Sequence, residues 1–133
     1  MERLTSDKPA GEMGVFEMAH NSCYIKDRRA RYRDYSLDED ARVLARALLK
    51  NYAEGDDAFT CDEDFDYWMI EHLHDGIDSA EGLIALFYRN LWAMADLREA
   101  LKAYEDTGLS PDQIVEMNSF SLRSAENIEG KRA

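Results

Sequence analysis

The sequence predicts a mainly α (α+β) fold, in which a small N-terminal β-hairpin packs on three to four helices, one of them long. The first observation is an amphipathic pattern over about 78–107, where apolar side chains recur at steps of three and four. The second is a segment rich in strand-forming residues, Cys23–Tyr35. Apolar residues make up 45% of the 133 residues, enough for a real core. We therefore expect one domain over residues 1–120, followed by a mobile polar tail, 121–133.

The N-terminal part of the chain holds the strand-forming segments. Residues 1–14 are expected to form an irregular arm, and Val15–Ala19 fits either a short strand or part of a turn. Cys23–Ile25 and Ala30–Tyr35 are predicted to pair as a hairpin around the turn Asp27–Arg29. Two strands alone are only marginally stable, so the hairpin must pack on helices.

Two helices are predicted in the middle of the chain. Ser36 begins a capping box with Glu39 three residues later, which predicts a helix from Ser36 to about Ala53. Its buried stripe is expected to be Leu37, Ala41, Leu44, Leu48 and Tyr52. After a loop over residues 54–61, a shorter helix begins at Asp62 and ends at Gly76. Its inner face is expected to be Phe65, Trp68, Met69 and Leu73.

The long helix organises the C-terminal half. We expect Asp78 or Ser79 as its N-cap, Gly82 as a point of close approach to a neighbour, and Gly108 as its αL stop. One apolar line along it comprises Leu83, Phe87, Leu91, Met94, Leu97, Leu101 and Tyr104. A second line comprises Ile84, Tyr88, Trp92 and Ala95.

The two halves of this helix carry different expectations. Leu83–Ala95 is apolar around a broad arc and is expected to be buried within the subunit. Leu97, Leu101 and Tyr104 form a narrower stripe, which is the expected self-interface. We expect this stripe to be covered in one of two ways. Either the segment after Pro111 folds back on it through Ile114, Val115 and Met117, or a second copy of the helix packs against it.

Charge is distributed unevenly along the chain. The net charge is -12, which argues against direct binding of nucleic acid or of an anionic membrane. Between Asn51 and Tyr88 there are eleven acidic residues and no Lys or Arg. The predicted partner-binding surface is Glu54, Asp56, Asp57, Asp62, Glu63, Asp64, Asp66 and Glu71. We interpret it as a nucleic-acid mimic that occupies a basic groove; the alternative is a solvated acidic face, partly neutralised by the hairpin.

The predicted hairpin is basic. Its alternation places Arg29, Arg31 and Arg33 on one strand face, with Arg28 in the turn. One interpretation is a site for a nucleotide or another small phosphorylated ligand. The other is an edge strand whose charges prevent aggregation.

The spacing of the acidic, His and Cys residues can be compared with that of known metal and catalytic sites. Asp56, Asp57, Asp62, Asp64 and Asp66 include the alternating start of a calcium loop, but Tyr67 and Leu73 stand where that loop needs Gly and Glu. A zinc site from His20, Cys23, Cys61 and His72 or His74 lacks a recognised spacing. Cys23 with His20 lacks a signature of a catalytic nucleophile. We therefore assign no catalytic residue, no metal and no cofactor.

The cysteines and apolar runs bear on location. Cys23 and Cys61 form no CxxC motif, and no secretory signal is recognised at the N-terminus. Apolar runs such as Leu91–Ala95 are too short to span a bilayer. A cytoplasmic protein with free thiols is expected.

Two segments carry a resemblance to a known group of proteins. The start Met1–Thr5 and the segment Leu101–Ile114, with its YEDTGLSP motif, resemble small accessory proteins of phages and prophages of Gram-positive gut bacteria. His20–Asp34 and Gly82–Leu97 are similar to that group as well. The resemblance implies a mobile element in a bacterial cytoplasm and transfers no active-site residue. Small acidic proteins in that setting include inhibitors of host defence, among them anti-CRISPR proteins.

The sequence thus predicts a non-enzymatic protein that binds and inhibits a nucleic-acid-handling defence protein of a bacterial host. Its partner would be a host protein with a basic nucleic-acid-binding surface. One alternative is an oligomeric binder of a small phosphorylated ligand through the basic hairpin. Another is a structural or assembly module that forms a homodimer through the long helix.

Overall fold

A computed structural model describes residues 3–53 and 61–119 of the chain. The helices are α1 (Val15–Asn21), α2 (Ala41–Tyr52), α3 (Asp62–His72), α4 (Ala80–Glu105) and α5 (residues 111–119). The strands are β1 (Cys23–Lys26), β2 (Arg29–Arg33) and β3 (Asp38–Asp40), in one antiparallel sheet of that order. This architecture confirms the mainly α (α+β) prediction. The predicted tail, 121–133, lies outside the described residues, as does nearly all of the predicted loop at 54–61.

The predicted hairpin is present, with a tighter turn than expected. Cys23 pairs with Tyr32 and Lys26 with Arg29, so the turn consists of Asp27 and Arg28 alone. Both have positive φ, at 53° and 64°, which is the geometry of a type I′ turn. This turn type matches the right-handed twist of the two strands, and here it forms without glycine.

The predicted helix start at Ser36 is wrong. Asp38–Asp40 is strand β3, paired with β2, and α2 begins only at Ala41. The Asp40 carboxylate is the N-cap, accepting hydrogen bonds from the backbone N–H groups of Arg42 and Val43. The sheet takes these residues because β2 otherwise presents a free edge, and pairing there satisfies backbone groups on both strands.

The segment Val15–Ala19 is helical, so both the strand and the turn predictions for it are wrong. It lies in α1, which buries Met18 and Asn21 and leaves Phe16 exposed. Only one face of this two-turn helix meets the core. Seven residues contain too few apolar positions for a 3.6-residue period to be distinguished from strand alternation in the sequence.

The buried face of α2 differs from the predicted stripe. Ala41, Ala45 and Leu49 are fully buried, whereas Leu44 and Leu48 are only partly buried against the core, and the predicted Leu37 and Tyr52 are exposed. Ala41 belongs to both sets, and the observed face is rotated from the predicted one by roughly 60°. Small alanines allow α2 to approach its neighbours closely, so Ala41 and Ala45 lie with Leu49 at the centre of the contact.

The second apolar line of α4 is the buried one. Ile84, Tyr88, Leu91 and Ala95 join Phe65 in the core. Residues of the first line are largely exposed, among them Leu83, Phe87, Met94, Leu97 and Tyr104. The prediction that the whole Leu83–Ala95 arc is buried within the subunit is therefore wrong. Leu91, from the first line, is buried because it lies on the boundary between the two faces.

Both ends of α4 are as predicted. The Ser79 hydroxyl accepts a hydrogen bond from the Gly82 N–H, and Gly108, with a φ of 73°, is the left-handed residue that follows the end of the helix. A capping box then starts α5, in which Ser110 and Gln113 bond to each other's backbone N–H. Of the three residues predicted to fold back onto α4, Val115 and Met117 are exposed and Ile114 is half-buried.

Gly82 is required by the close approach of the chain before α4. A Cβ at this position would lie 2.0 Å from the carbonyl oxygen of Gly76, a backbone atom in the 3-10 segment Leu73–Asp78. We expect Gly82→Ala to lower the free energy of unfolding by about 1–3 kcal/mol, because the backbone must move to relieve the clash. Urea unfolding measures the change. The control is Gly11→Ala, whose Cβ would meet nothing within 4 Å; equal losses in the two variants would contradict the explanation.

The N-terminal arm is tied down by buried polar contacts that the sequence did not reveal. Asn21 is fully buried, and its amide oxygen accepts from Ser6 N–H (2.8 Å) and from Arg98 Nε (2.9 Å). Its Nδ2 donates to the carbonyl oxygens of Leu4 (3.0 Å) and Glu17 (2.7 Å). The arm, α1 and α4 thus meet at one amide side chain.

Glu105 extends this attachment toward the end of α4. Its two carboxylate oxygens accept from the backbone N–H groups of Leu4 (2.7 Å) and Thr5 (2.9 Å), and from the Thr5 hydroxyl (2.6 Å). Burial acts to raise the pKa of Glu105, but these hydrogen bonds hold it below its usual value. The YEDTGL segment therefore holds the arm as well as ending the helix.

Candidate functional site

The outer face of α3 is acidic and carries two exposed apolar side chains. Glu63, Asp64 and Glu71 are exposed along it. Tyr67 and Ile70 lie among them and are 62% and 56% exposed. α3 takes this form because Phe65 and Met69, at the i, i+4 spacing, face the core and turn the remaining side chains outward. The exposed set Glu63, Asp64, Tyr67, Ile70 and Glu71 is called the α3 face below.

Asp66, also predicted for the partner surface, points instead toward α2 and α4. Its carboxylate accepts from Arg42 (Nη2 at 2.9 Å, Nε at 3.2 Å) and from the Tyr88 hydroxyl at 2.7 Å. Burial acts to raise the pKa of Asp66, but these hydrogen bonds outweigh it, so the pKa lies below its usual value. The ionised carboxylate then stabilises the fold above its unfolded-state pKa, and this contribution is lost as pH falls through the lowered value.

Asp62 is shared between the surface and the interior network. Its carboxylate lies 3.3 Å from Arg29 of β2 and 3.6 Å from Arg42 of α2, and its side chain is half-exposed. Asp62 and Asp66 therefore position α3 on the rest of the fold through charge-assisted hydrogen bonds. Of the predicted acidic surface, Glu54, Asp56 and Asp57 lie outside the described residues.

Two shallow depressions flank Ile70, which lines both. One has a volume of about 380 Å³, with an apolar floor from Met69, Leu73 and Ala85 and polar groups such as Arg89 at its edge. The other has a volume of about 430 Å³ and is bordered by Glu63 and Tyr67. Their volumes lie at the lower end of the range of binding pockets. The α3 face therefore combines exposed carboxylates with two apolar side chains, Tyr67 and Ile70, that line these depressions.

Two arginines of the basic hairpin are paired with the chain's own acidic residues. Arg29 donates to Asp40 at 2.6 Å, and Arg31 donates to Asp38 at 3.2 Å. These pairs run diagonally between β2 and β3, a contact that appears only because β3 exists.

The other two hairpin arginines differ from each other. Arg33 donates to the carbonyl oxygen of Asn21 and lies 4.5 Å from the centre of the Tyr24 ring. Arg28 lies exposed in the turn. A phosphate at this hairpin would have to compete with the internal acceptors of Arg29, Arg31 and Arg33, which counts against the small-ligand hypothesis.

The described parts of the chain give no support to the candidate calcium, zinc and thiol sites. Within 3–53 and 61–119, no three His, Cys, Asp or Glu side chains are arranged to hold a metal ion. Cys23 and Cys61 are free thiols, and burial raises the pKa of Cys23. His72 pairs with Asp75 at 2.7 Å, and its ring lies against Trp68 at 3.9 Å between ring centres, tilted by 42°.

Two further findings concern membrane-spanning helices and similar proteins. Across the ranges that the structure covers, each helix is too short or too polar to cross a lipid bilayer. Comparisons with protein-family profiles, with curated proteins and with solved structures found no match.

Sequence reasoning missed Tyr67 and Ile70 as site residues. The signal was present: on the predicted helix both lie between the acidic positions and off the line of Phe65 and Met69. An aromatic and a branched apolar side chain on a charged, outward face are a typical mark of a protein-binding surface.

Proposed function

We propose that this protein binds and inhibits a nucleic-acid-handling defence protein of a bacterial host, by placing the α3 face on the partner's basic nucleic-acid-binding surface. The observation that carries the proposal is the exposed set Glu63, Asp64 and Glu71 around Tyr67 and Ile70. It lies in an interval without Lys or Arg from Asn51 to Tyr88.

Charge density indicates how far the mimicry extends. Glu63 and Glu71 are eight residues apart, about 12 Å along the helix axis. The three carboxylates therefore have a mean axial spacing of about 6 Å, wider than the phosphate spacing of about 3.4 Å along one strand of DNA. The α3 face carries less charge per unit length than a single nucleic-acid strand, so the mimicry is partial.

Apolar contacts supply what the charges do not. Carboxylates at an exposed surface steer association and fix orientation, while each contributes little affinity. Tyr67 and Ile70 can enter apolar pockets of the partner, in the manner of central anchors surrounded by a polar rim. A partner of this kind has basic residues surrounding an apolar patch, as in channels where bases stack on aromatic side chains.

The resemblance to phage accessory proteins supplies the biological setting of the proposal. A phage protein that blocks a defence nuclease needs no catalytic group, because occupying the nucleic-acid channel is sufficient. The net charge of -12 favours encounter with a basic surface and disfavours the nucleic acid itself.

The test is a cleavage assay with a panel of purified bacterial RNA-guided and restriction nucleases at about 0.15 M salt. The wild-type protein is expected to bind and inhibit at least one of them. The variant Glu63→Lys/Glu71→Lys is expected to bind that nuclease at least ~100-fold more weakly, because it places like charges together at the interface. No binding across the panel would contradict the proposal.

The matched control is Asp112→Lys/Glu116→Lys on α5, which makes the same change in net charge. Asp112, like Glu63, is the second residue of its helix, and Asp112 and Glu116 are exposed. This variant is expected to inhibit as the wild type does. Equal losses from both variants would mean that net charge, and not the α3 face, governs binding.

A further inference from the structure

An apolar arc that the described residues leave largely exposed runs along α4. Leu83, Met94, Leu97 and Tyr104 are 50%, 45%, 64% and 59% exposed, although the same helix buries its other face in the core. An exposed row of this kind on a strongly charged protein indicates an interaction surface.

The spacing of the arc is that of a coiled-coil seam. Steps of four and three residues alternate without interruption through Leu83, Phe87, Asn90, Met94, Leu97, Leu101 and Tyr104. Leu86, Ala93 and Ala100 lie beside the seam. None of these ten positions carries a charge, in a chain of which 33% of residues are charged. The pattern is therefore a continuous, uncharged face.

The occupant that fits this face best is another copy of the same face. A strict heptad seam meets its own repeat by knobs-into-holes packing. Asn90 is its one polar member, and in a parallel pair it faces the same residue of the other copy, where each amide supplies both a donor and an acceptor. Asn90 is exposed in the single chain.

The described part of the chain leaves most of the arc exposed, and only Leu101 among its apolar seam residues is half-buried. α5 leaves Leu97 and Tyr104 exposed, and its own Val115 and Met117 are exposed as well. Phe87 is the most covered of the exposed seam residues, because its ring packs edge-on against Tyr32 at 6.1 Å.

We propose that two copies of this chain pair in parallel and in register along α4, through the seam from Leu83 to Tyr104. The pairing is distinct from the α3 face and does not depend on the proposed function. α4 has 26 residues and is about 39 Å long, so a strip roughly 10 Å wide covers only about 400 Å² per copy. The two copies together then bury about 800 Å², below the range of standard specific interfaces, so the pairing is weak and depends on chain concentration.

Salt dependence separates this pairing from partner binding. Two copies of a chain with net charge -12 repel each other, so screening by added salt strengthens the dimer. Binding of the α3 face to a basic partner weakens under the same change. The two contacts therefore respond to salt with opposite sign.

Light scattering over a series of chain concentrations from about 10 μM to about 1 mM tests the proposal. The mass of the wild type is expected to rise with concentration toward twice the chain mass of 15.3 kDa. Leu97→Glu is expected to be monomeric, with at least ~100-fold weaker pairing, because the variant places two carboxylates in the seam. The control Val43→Glu, at a half-exposed position on α2, is expected to remain dimeric.

Orientation is tested by a cysteine in the seam. Asn90→Cys, made together with Cys61→Ser, is expected to form a covalent dimer on oxidation, because equivalent seam positions face each other only in a parallel, in-register pair. Failure to cross-link overturns the parallel arrangement. A wild-type chain that stays monomeric, whether its arc is covered by its own residues 120–133 or by a different protein, overturns the proposal, and so does a dimer unaffected by Leu97→Glu.

Discussion

Replacing Asn21 by alanine is expected to lower the free energy of unfolding by about 3 kcal/mol or more. The fully buried amide makes four hydrogen bonds, to Ser6, Arg98, Leu4 and Glu17. Its removal leaves these groups in the interior with fewer partners. The Arg98 guanidinium keeps its charge and retains the Ser6 carbonyl oxygen (2.8 Å), but it loses the acceptor for its Nε.

Urea unfolding followed by circular dichroism measures the effect, with Asn51→Ala as the control. Asn51 is exposed near the end of α2, where alanine is a better helix former, so its change is expected within about 0.5 kcal/mol. Asn21→Ala should also increase hydrogen exchange in the N-terminal arm. A loss below about 1 kcal/mol would mean that the arm contributes little to the stability of the fold.

Phe65→Ala is expected to lower the free energy of unfolding by about 3–5 kcal/mol. Phe65 is fully buried, and its ring meets Tyr88 edge-on at 5.3 Å between ring centres. Truncation leaves a cavity between α3 and α4 that the surrounding helices fill only in part. It also removes a side chain that places α3, and so the α3 face, against the core.

Tyr67→Ala, two residues along the same helix, is the control. Tyr67 is exposed, so its truncation is expected to leave the free energy of unfolding within about 0.5 kcal/mol of wild type. The same variant is expected to weaken binding of the proposed partner, since it removes an apolar anchor. Thermal unfolding of both variants checks the pair; similar melting temperatures would contradict the assignment of inner and outer faces.

Local signals in the sequence were sufficient where one interaction decides the outcome. Ser79 and Gly108 act as predicted, because each satisfies backbone groups within its own turn, as the Ser110–Gln113 capping box also does. Ser36 failed because a second partner competes for the same residues. The carboxylate of Asp34 instead accepts from the N–H groups of Ser36 and Leu37 and turns the chain into β3.

Periodicity located the long helix but did not identify its buried face. α4 has two apolar faces, and a pattern of steps of three and four describes either one. The sheet and α2 contact the face with Tyr88 and Ala95, and that choice depends on tertiary packing. The face with Leu97 and Tyr104 remains exposed, as the predicted self-interface requires, while Leu83 and Met94 extend it beyond the predicted half.

The acidic site was predictable in composition and not in detail. The interval without bases is visible in the sequence, but the division of its members is not. Asp62 and Asp66 pair with Arg29 and Arg42, which are 33 and 24 residues away along the chain. Only the fold shows that these two carboxylates hold α3 in place, while Glu63 and its neighbours on the α3 face remain exposed.

The central claim is that the α3 face occupies a partner's nucleic-acid-binding surface, and a competition measurement tests it most directly. Fluorescence anisotropy gives the dissociation constant between the inhibited nuclease and a labelled nucleic acid at increasing concentrations of the protein. The account predicts that this constant rises in proportion to protein concentration, and that Glu63→Lys/Glu71→Lys abolishes the rise. An unchanged dissociation constant, with cleavage still inhibited, would contradict it.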